Sequence, residues 1–97
     1  NRGKKSITVA LRQPEGQDIV RRLAARSDIL LENFKVGTLA RFGLDYDALK
    51  PVNPRLVYCS ITGYGQMGPK AFVAGHDLNY AALSGAAWYA GADGAPP

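Results

Sequence analysis

Short apolar segments separated by helix-like stretches constrain this chain more than any other feature of its sequence. Ser6-Ile7-Thr8-Val9-Ala10-Leu11 alternates polar and apolar side chains and includes β-branched residues, the pattern of a strand. Asp28-Ile29-Leu30-Leu31-Glu32 is a short apolar run suited to a buried strand. Arg55 to Ile61 (Arg-Leu-Val-Tyr-Cys-Ser-Ile) is the most strand-like segment of all. Ahead of the second of these, Pro14 stands where a first helical turn accepts proline, with Glu15 and Asp18 near the positive helix end. Ile19, Val20, Leu23 and Ala24 then form one apolar stripe, while Arg21, Arg22 and Arg26 face away or end the helix. Asn33 to Gly37 reads as a loop and Thr38 to Phe42 as a helical turn closing at Gly43. Asp45 is placed to cap a short helix through Leu49, stopped by Pro51. A glycine-rich loop runs from Thr62 to about Gly75, and Asp77 to about Tyr89 is helix-compatible, with Gly85 inside it. The order is β-α-β-α-α-β-loop-α. Strands alternating with helices pair in parallel, so the expected fold class is α/β: a parallel sheet of Rossmann-like β-α-β units, in a single domain over residues 1–97.

Composition narrows the function classes. With 46% hydrophobic and 21% charged residues, the chain has the apolar side chains a disordered tail lacks. Cys59 is the only cysteine, which excludes a disulfide scaffold and points to a reducing, cytoplasmic setting. Inside a predicted buried strand, it reads as a small core residue rather than a nucleophile. No apolar run approaches the ~20 residues of a membrane span. The net charge of +4 is uneven: residues 1–26 hold seven Lys/Arg against Glu15 and Asp18, and residues 27–97 hold five bases against six acids. The basic end suits a polyanion, and it equally suits a solvated helix face. Nucleic acid is the weaker polyanion here, because no aromatic side chains interleave with the basic cluster to stack on bases.

Two loop features bear on chemistry. Gly63-Tyr64-Gly65-Gln66-Met67-Gly68 matches GxGxxG after a predicted strand, but Pro69 follows at once and no helix opens inside the motif. These glycines read instead as a tight loop at the carboxyl end of a strand, where open α/β sheets bind ligands. Gly75-His76-Asp77 is expected at a loop-to-helix junction and carries the single histidine. Histidine exchanges a proton near neutral pH, and unpaired amides at a helix start can stabilise a developing oxyanion. A base and oxyanion donors within one turn suit abstraction of a proton α to a carbonyl. With no second histidine and no cysteine pair, a metal site is not expected.

Four strings in register carry a resemblance that covers essentially all 97 residues: Asn1-Arg2-Gly3-Lys4-Lys5-Ser6; Ser27-Asp28-Ile29-Leu30-Leu31-Glu32-Asn33-Phe34 with Gly37; Asn53-Pro54-Arg55-Leu56-Val57-Tyr58; and Gly63-Tyr64-Gly65-Gln66 with Gly68-Pro69. Together they resemble the family III CoA-transferases, the CaiB/BaiF family. Ala74-Gly75-His76-Asp77-Leu78-Asn79-Tyr80 looks most like the α-methylacyl-CoA racemase branch, since the transferase branch more often has tyrosine at the position of His76. The resemblance implies an acyl-CoA thioester partner, CoA being part of the substrate, with no separate cofactor, no membrane and a homo-oligomeric assembly. It implies CoA contacts at Val9, Ala10, Leu11, Arg12, Asn33, Phe34, Thr38 and Arg41, and, at the thioester end, at Gly75, Leu78, Asn79 and Tyr80.

The same resemblance implies that His76 is one of two acid/base catalysts and that the Asp77 backbone N–H stabilises an enolate-like intermediate. Ala10 departs from the family pattern, in which many members carry an aspartate. The second catalyst in either branch is an aspartate whose position falls past Pro97. In racemases it is the histidine's acid/base partner; in transferases it is the nucleophile. The expectation is therefore an internal fragment, the middle portion of the CoA-binding α/β half of a longer protein, inactive alone. A CoA-transferase working through an aspartyl intermediate and a non-catalytic small binding or assembly module stand as the alternatives.

Overall fold

The computed structural model describes residues 2–89, with only the backbone at Tyr89, in two compact units, Asn1–Ser60 and Ile61–Pro97. Asn1 and the Pro96-Pro97 end lie outside the described residues.

In the first unit α1 runs Pro14–Ala25, opened by the proline and with Glu15 in its first turn. After it come β1 (Ile29–Glu32), a 3-10 turn (Ala40–Phe42), α2 (Tyr46–Leu49) and β2 (Val57–Ser60). Asp45 caps α2 as its sequence position predicts, its carboxylate accepting from the Ala48 N–H at 3.2 Å. β1 and β2 pair in parallel, from Ile29 opposite Val57 to Glu32 opposite Ser60. The crossover between them passes through the 3-10 turn and α2, so the α/β class with parallel pairing holds.

Alternation along the strands decides which face is covered. Leu30 and Tyr58, paired across the sheet, face the core made by Ala24, Leu44, Leu49 and Leu56. Val20, Leu39, Phe42 and Leu11 pack around it. The sequence string beginning Asn53-Pro54 acquires a physical role here. Asn53 Nδ2 donates to the carbonyls of Ala24 (3.0 Å) and Ser27 (2.8 Å), and its Oδ1 accepts from the Arg55 N–H (3.2 Å). One side chain thus satisfies two carbonyls at the end of α1 and shapes the turn into β2.

Among the described residues the sheet's other face is open: Ile29, Leu31 and Val57 are 60%, 66% and 58% exposed. The expectation of a fully buried strand is corrected accordingly, because a two-stranded sheet with helices on one side buries one face only. Cys59, paired with Leu31 on that face, is half-buried rather than a core residue. The strand expected over Ser6–Leu11 is also absent, and Ile7 is 63% exposed. A strand exists only through a neighbour that takes its hydrogen bonds, and none lies beside this segment among the described residues. The segment is instead tied to α1. Gln13 N–H donates to the Ala10 carbonyl at 3.1 Å, Gln17 Nε2 donates to that of Leu11 at 2.9 Å, and a Cβ at Gly16 would overlap the Ala10 oxygen. Arg21 does not simply face away: Nη2 reaches the Phe42 carbonyl at 3.3 Å, at the end of the 3-10 turn.

Tyr58 donates its hydroxyl to the Leu44 carbonyl at 2.9 Å, and its pKa is pushed up to about 12 by burial, reinforced by the negative charges of Glu32 and Asp45. A raised folded-state value means that the neutral phenol contributes stability below pH 10, and this is lost as pH climbs from 10 through 12. Tyrosinate absorbance is therefore expected to include a late step, from Tyr58, that coincides with loss of the helical signal. The Tyr58→Phe variant should lack that late step.

The second unit carries α3 (Asp77–Ser84) and a 3-10 turn (Ala86–Tyr89). The single helix expected to Tyr89 is interrupted at Gly85, which takes φ +85 and closes on the Ala82 carbonyl at 3.3 Å. No helix among the described residues is long and apolar enough to cross a membrane.

Candidate functional site

His76 is the N-cap of α3, with extended backbone (φ −131, ψ 176) and an exposed side chain. This is the loop-to-helix junction its neighbours predict. Its carbonyl accepts from the N–H groups of Asn79 (2.9 Å) and Tyr80 (3.2 Å), while Asn79 Oδ1 accepts from the His76 N–H at 2.9 Å. No hydrogen bond among the described residues takes up the N–H groups of Asp77 and Leu78, which stand at the positive end of the helix beside the imidazole. A proton-exchanging ring and two available amide donors therefore share one turn.

Behind them sits Tyr80. Its hydroxyl donates to the Gly75 carbonyl, and its ring meets Tyr64 edge to face with centroids 5.3 Å apart. A Cβ at Gly63 would overlap the Tyr80 ring, and one at Gly75 would come within 2.8 Å of it. Lys70 Nζ lies 5.9 Å above the Tyr64 ring. The GxGxxG string thus has a steric explanation: Gly63 makes room for a tyrosine, while Gly65 and Gly68 turn the loop at φ +84 and +102. No helix opens within it, as the following proline implies.

A profile described as CoA-transferase family III matches residues 1–97, the whole chain. The chain belongs to CoA-transferase family III. A succinate–glutarate CoA-transferase of Agrobacterium fabrum is 53% identical over 85 residues, 88% of this chain and 21% of that protein. Human α-methylacyl-CoA racemase is 45% identical over 96 residues, 99% of this chain and 25% of that protein. The crystal structure of a CaiB/BaiF family protein from Brucella suis matches with a TM-score of 0.88 at 48% identity, covering all of this chain and 26% of that one. The chain spans between a fifth and about a quarter of the length of these relatives.

Within this family III segment the residues expected to touch CoA fall in both units. Val9, Ala10, Leu11 and Arg12 lead into α1, with Arg12 exposed. Asn33 and Phe34 follow β1 at the carboxyl end of the sheet, both exposed, and Phe34 N–H donates to Glu32 Oε2 at 2.8 Å. Thr38, half-buried, donates its N–H to the Lys35 carbonyl at 3.0 Å, and Arg41 lies exposed in the 3-10 turn. No hydrogen bond joins these three stretches among the described residues. In the second unit Gly75, His76, Asp77, Leu78, Asn79 and Tyr80 form one contiguous group, with Leu78 80% exposed. Reasoning from sequence missed Gly63 and Tyr64 as parts of this group. The signal available was Gly-Tyr-Gly itself, one aromatic between two residues without side chains.

Proposed function

We propose that this chain is the acyl-CoA-binding segment of a racemase-type family III enzyme, which moves the α-proton of a 2-methylacyl-CoA thioester without a separate cofactor. The observation that carries it is the placement of His76 at an exposed helix start beside the available N–H groups of Asp77 and Leu78. A thioester carbonyl oxygen received by the Asp77 amide would acidify the adjacent C–H by stabilising the enolate-like charge. The imidazole then removes the proton on one side of the α-carbon. Inverting the centre requires a second proton-transfer group on the opposite side, and the family resemblance assigns that role to an aspartate that is not among these 97 residues. The 97 residues alone are accordingly proposed to be inactive in racemisation. The exposed bases ahead of α1, Arg2, Lys4, Lys5 and Arg12, serve the CoA phosphates in this reading. The same reading takes the enzyme to be homo-oligomeric and, from the single cysteine, to work in a reducing, cytoplasmic compartment.

A second reading rests on the 53% identity to a succinate–glutarate CoA-transferase: transfer of CoA between carboxylic acids through an enzyme-bound acyl group. One pair of measurements on a full-length protein carrying this segment separates the two. Racemisation predicts deuterium entry at the α-carbon of 2-methylacyl-CoA in heavy water and no acyl group trapped by hydroxylamine. Trapped acyl hydroxamate without α-exchange would assign the segment to a transferase.

A further inference from the structure

The peptide unit between Gly75 and His76 has two polar groups, and α3 takes hold of both. Its carbonyl, on Gly75, accepts from the Tyr80 hydroxyl; its N–H, on His76, donates to Asn79 Oδ1 at 2.9 Å. Bonding both ends fixes the orientation of the peptide plane, and that plane sets the direction from which the His76 side chain leaves the backbone. The Tyr80 ring can reach this position only because Gly63 and Gly75 leave the space it occupies, and Tyr64 closes one side of the slot. Three separate pieces of sequence therefore converge on one peptide bond. We infer that Asn79 and Tyr80 are positioning residues that clamp the Gly75–His76 peptide and aim the imidazole, with Gly63 as the gap that lets Tyr80 do so.

This inference rests on His76 being the acid/base group, and it gives Asn79 and Tyr80 a different task from touching CoA. Misaiming a catalytic group by a fraction of its reach lowers the chemical step and leaves binding alone. In a full-length protein carrying this segment, Tyr80→Phe keeps the ring in its slot and removes only the hydroxyl. It is expected to lower kcat for α-proton exchange about 10- to 100-fold with KM for the acyl-CoA nearly unchanged. Asn79→Ala should do the same, and the double variant should be little worse than either single one, because both act on one peptide plane. A raised KM at unchanged kcat would instead make Tyr80 a CoA contact and overturn the clamp, as would full activity in both variants.

Amide hydrogen exchange at His76 in this chain tests the clamp without any turnover. It should quicken about tenfold in Tyr80→Phe and in Asn79→Ala. Unchanged exchange defeats the inference. If His76 proves dispensable for catalysis while its amide exchange still responds, the functional reading fails and the clamp stands.

Discussion

Replacing His76 by glutamine in a full-length protein carrying this segment is expected to slow α-proton exchange from a 2-methylacyl-CoA by about 10²- to 10⁴-fold, the usual contribution of one general base. Glutamine keeps a polar planar end but has no basic nitrogen to take the proton. The side chain at position 76 is exposed, so the substitution is expected to disturb packing little. Asn79 Oδ1 bonds the backbone N–H of residue 76, which glutamine retains, so the start of α3 survives as well. The loss should therefore fall on kcat, with CoA affinity close to the unaltered value. Deuterium incorporation followed by mass spectrometry reads the effect directly. An exchange rate within twofold of the unaltered protein would remove His76 from the chemistry.

Leu49→Ala should be the most damaging single change to the first unit. Leu49 is 0% exposed at the end of α2, against Leu44, Ala24 and Leu56. Truncating a fully buried leucine costs about 2–5 kcal/mol, through lost transfer free energy and the cavity left behind. A unit of this size holds only about 3–9 kcal/mol of net stability. The expected result is a first unit largely unfolded at room temperature, seen as lost helical signal and a urea midpoint moved towards zero. Leu31→Ala is the contrast: the same chemistry on the open sheet face, 66% exposed, should shift stability by less than about 1 kcal/mol. Equal effects at the two positions would mean that the sheet face carrying Leu31 is covered as well.

Legibility followed how local each determinant is. Between Pro14 and Ser60, caps, a proline at a helix start and short apolar runs are local signals, and they located both helices and both strands of the crossover. Ser6–Leu11 has the composition of a strand, but a strand is a property of two segments, and composition reports one. Gly85 is a legible stop signal that the helix-favouring alanines around it mask in the sequence. The catalytic candidate was visible because Gly-His-Asp at a loop–helix junction is a local pattern. Its support was not: the slot for Tyr80 depends on Gly63, twelve residues before Gly75, and on a ring orientation that spacing does not encode. The string GxGxxG shows the same limit. Its context argued that no helix opens inside it, as the structure has it, yet the steric reason for Gly63 emerges only when the ring that fills its place is seen.

Asparagine is among the least durable side chains. The backbone nitrogen of the following residue attacks its amide, ammonia leaves, and the ring opens to aspartate. At position 53 that conversion would put carboxylate oxygens against the carbonyls of Ala24 and Ser27, where two N–H donors now stand, and would unfasten α1 from the approach to β2. The next residue is Pro54, whose nitrogen carries no hydrogen and cannot close that ring. The joint is thus made from a perishable residue whose chemical ageing is blocked by its own neighbour in the chain.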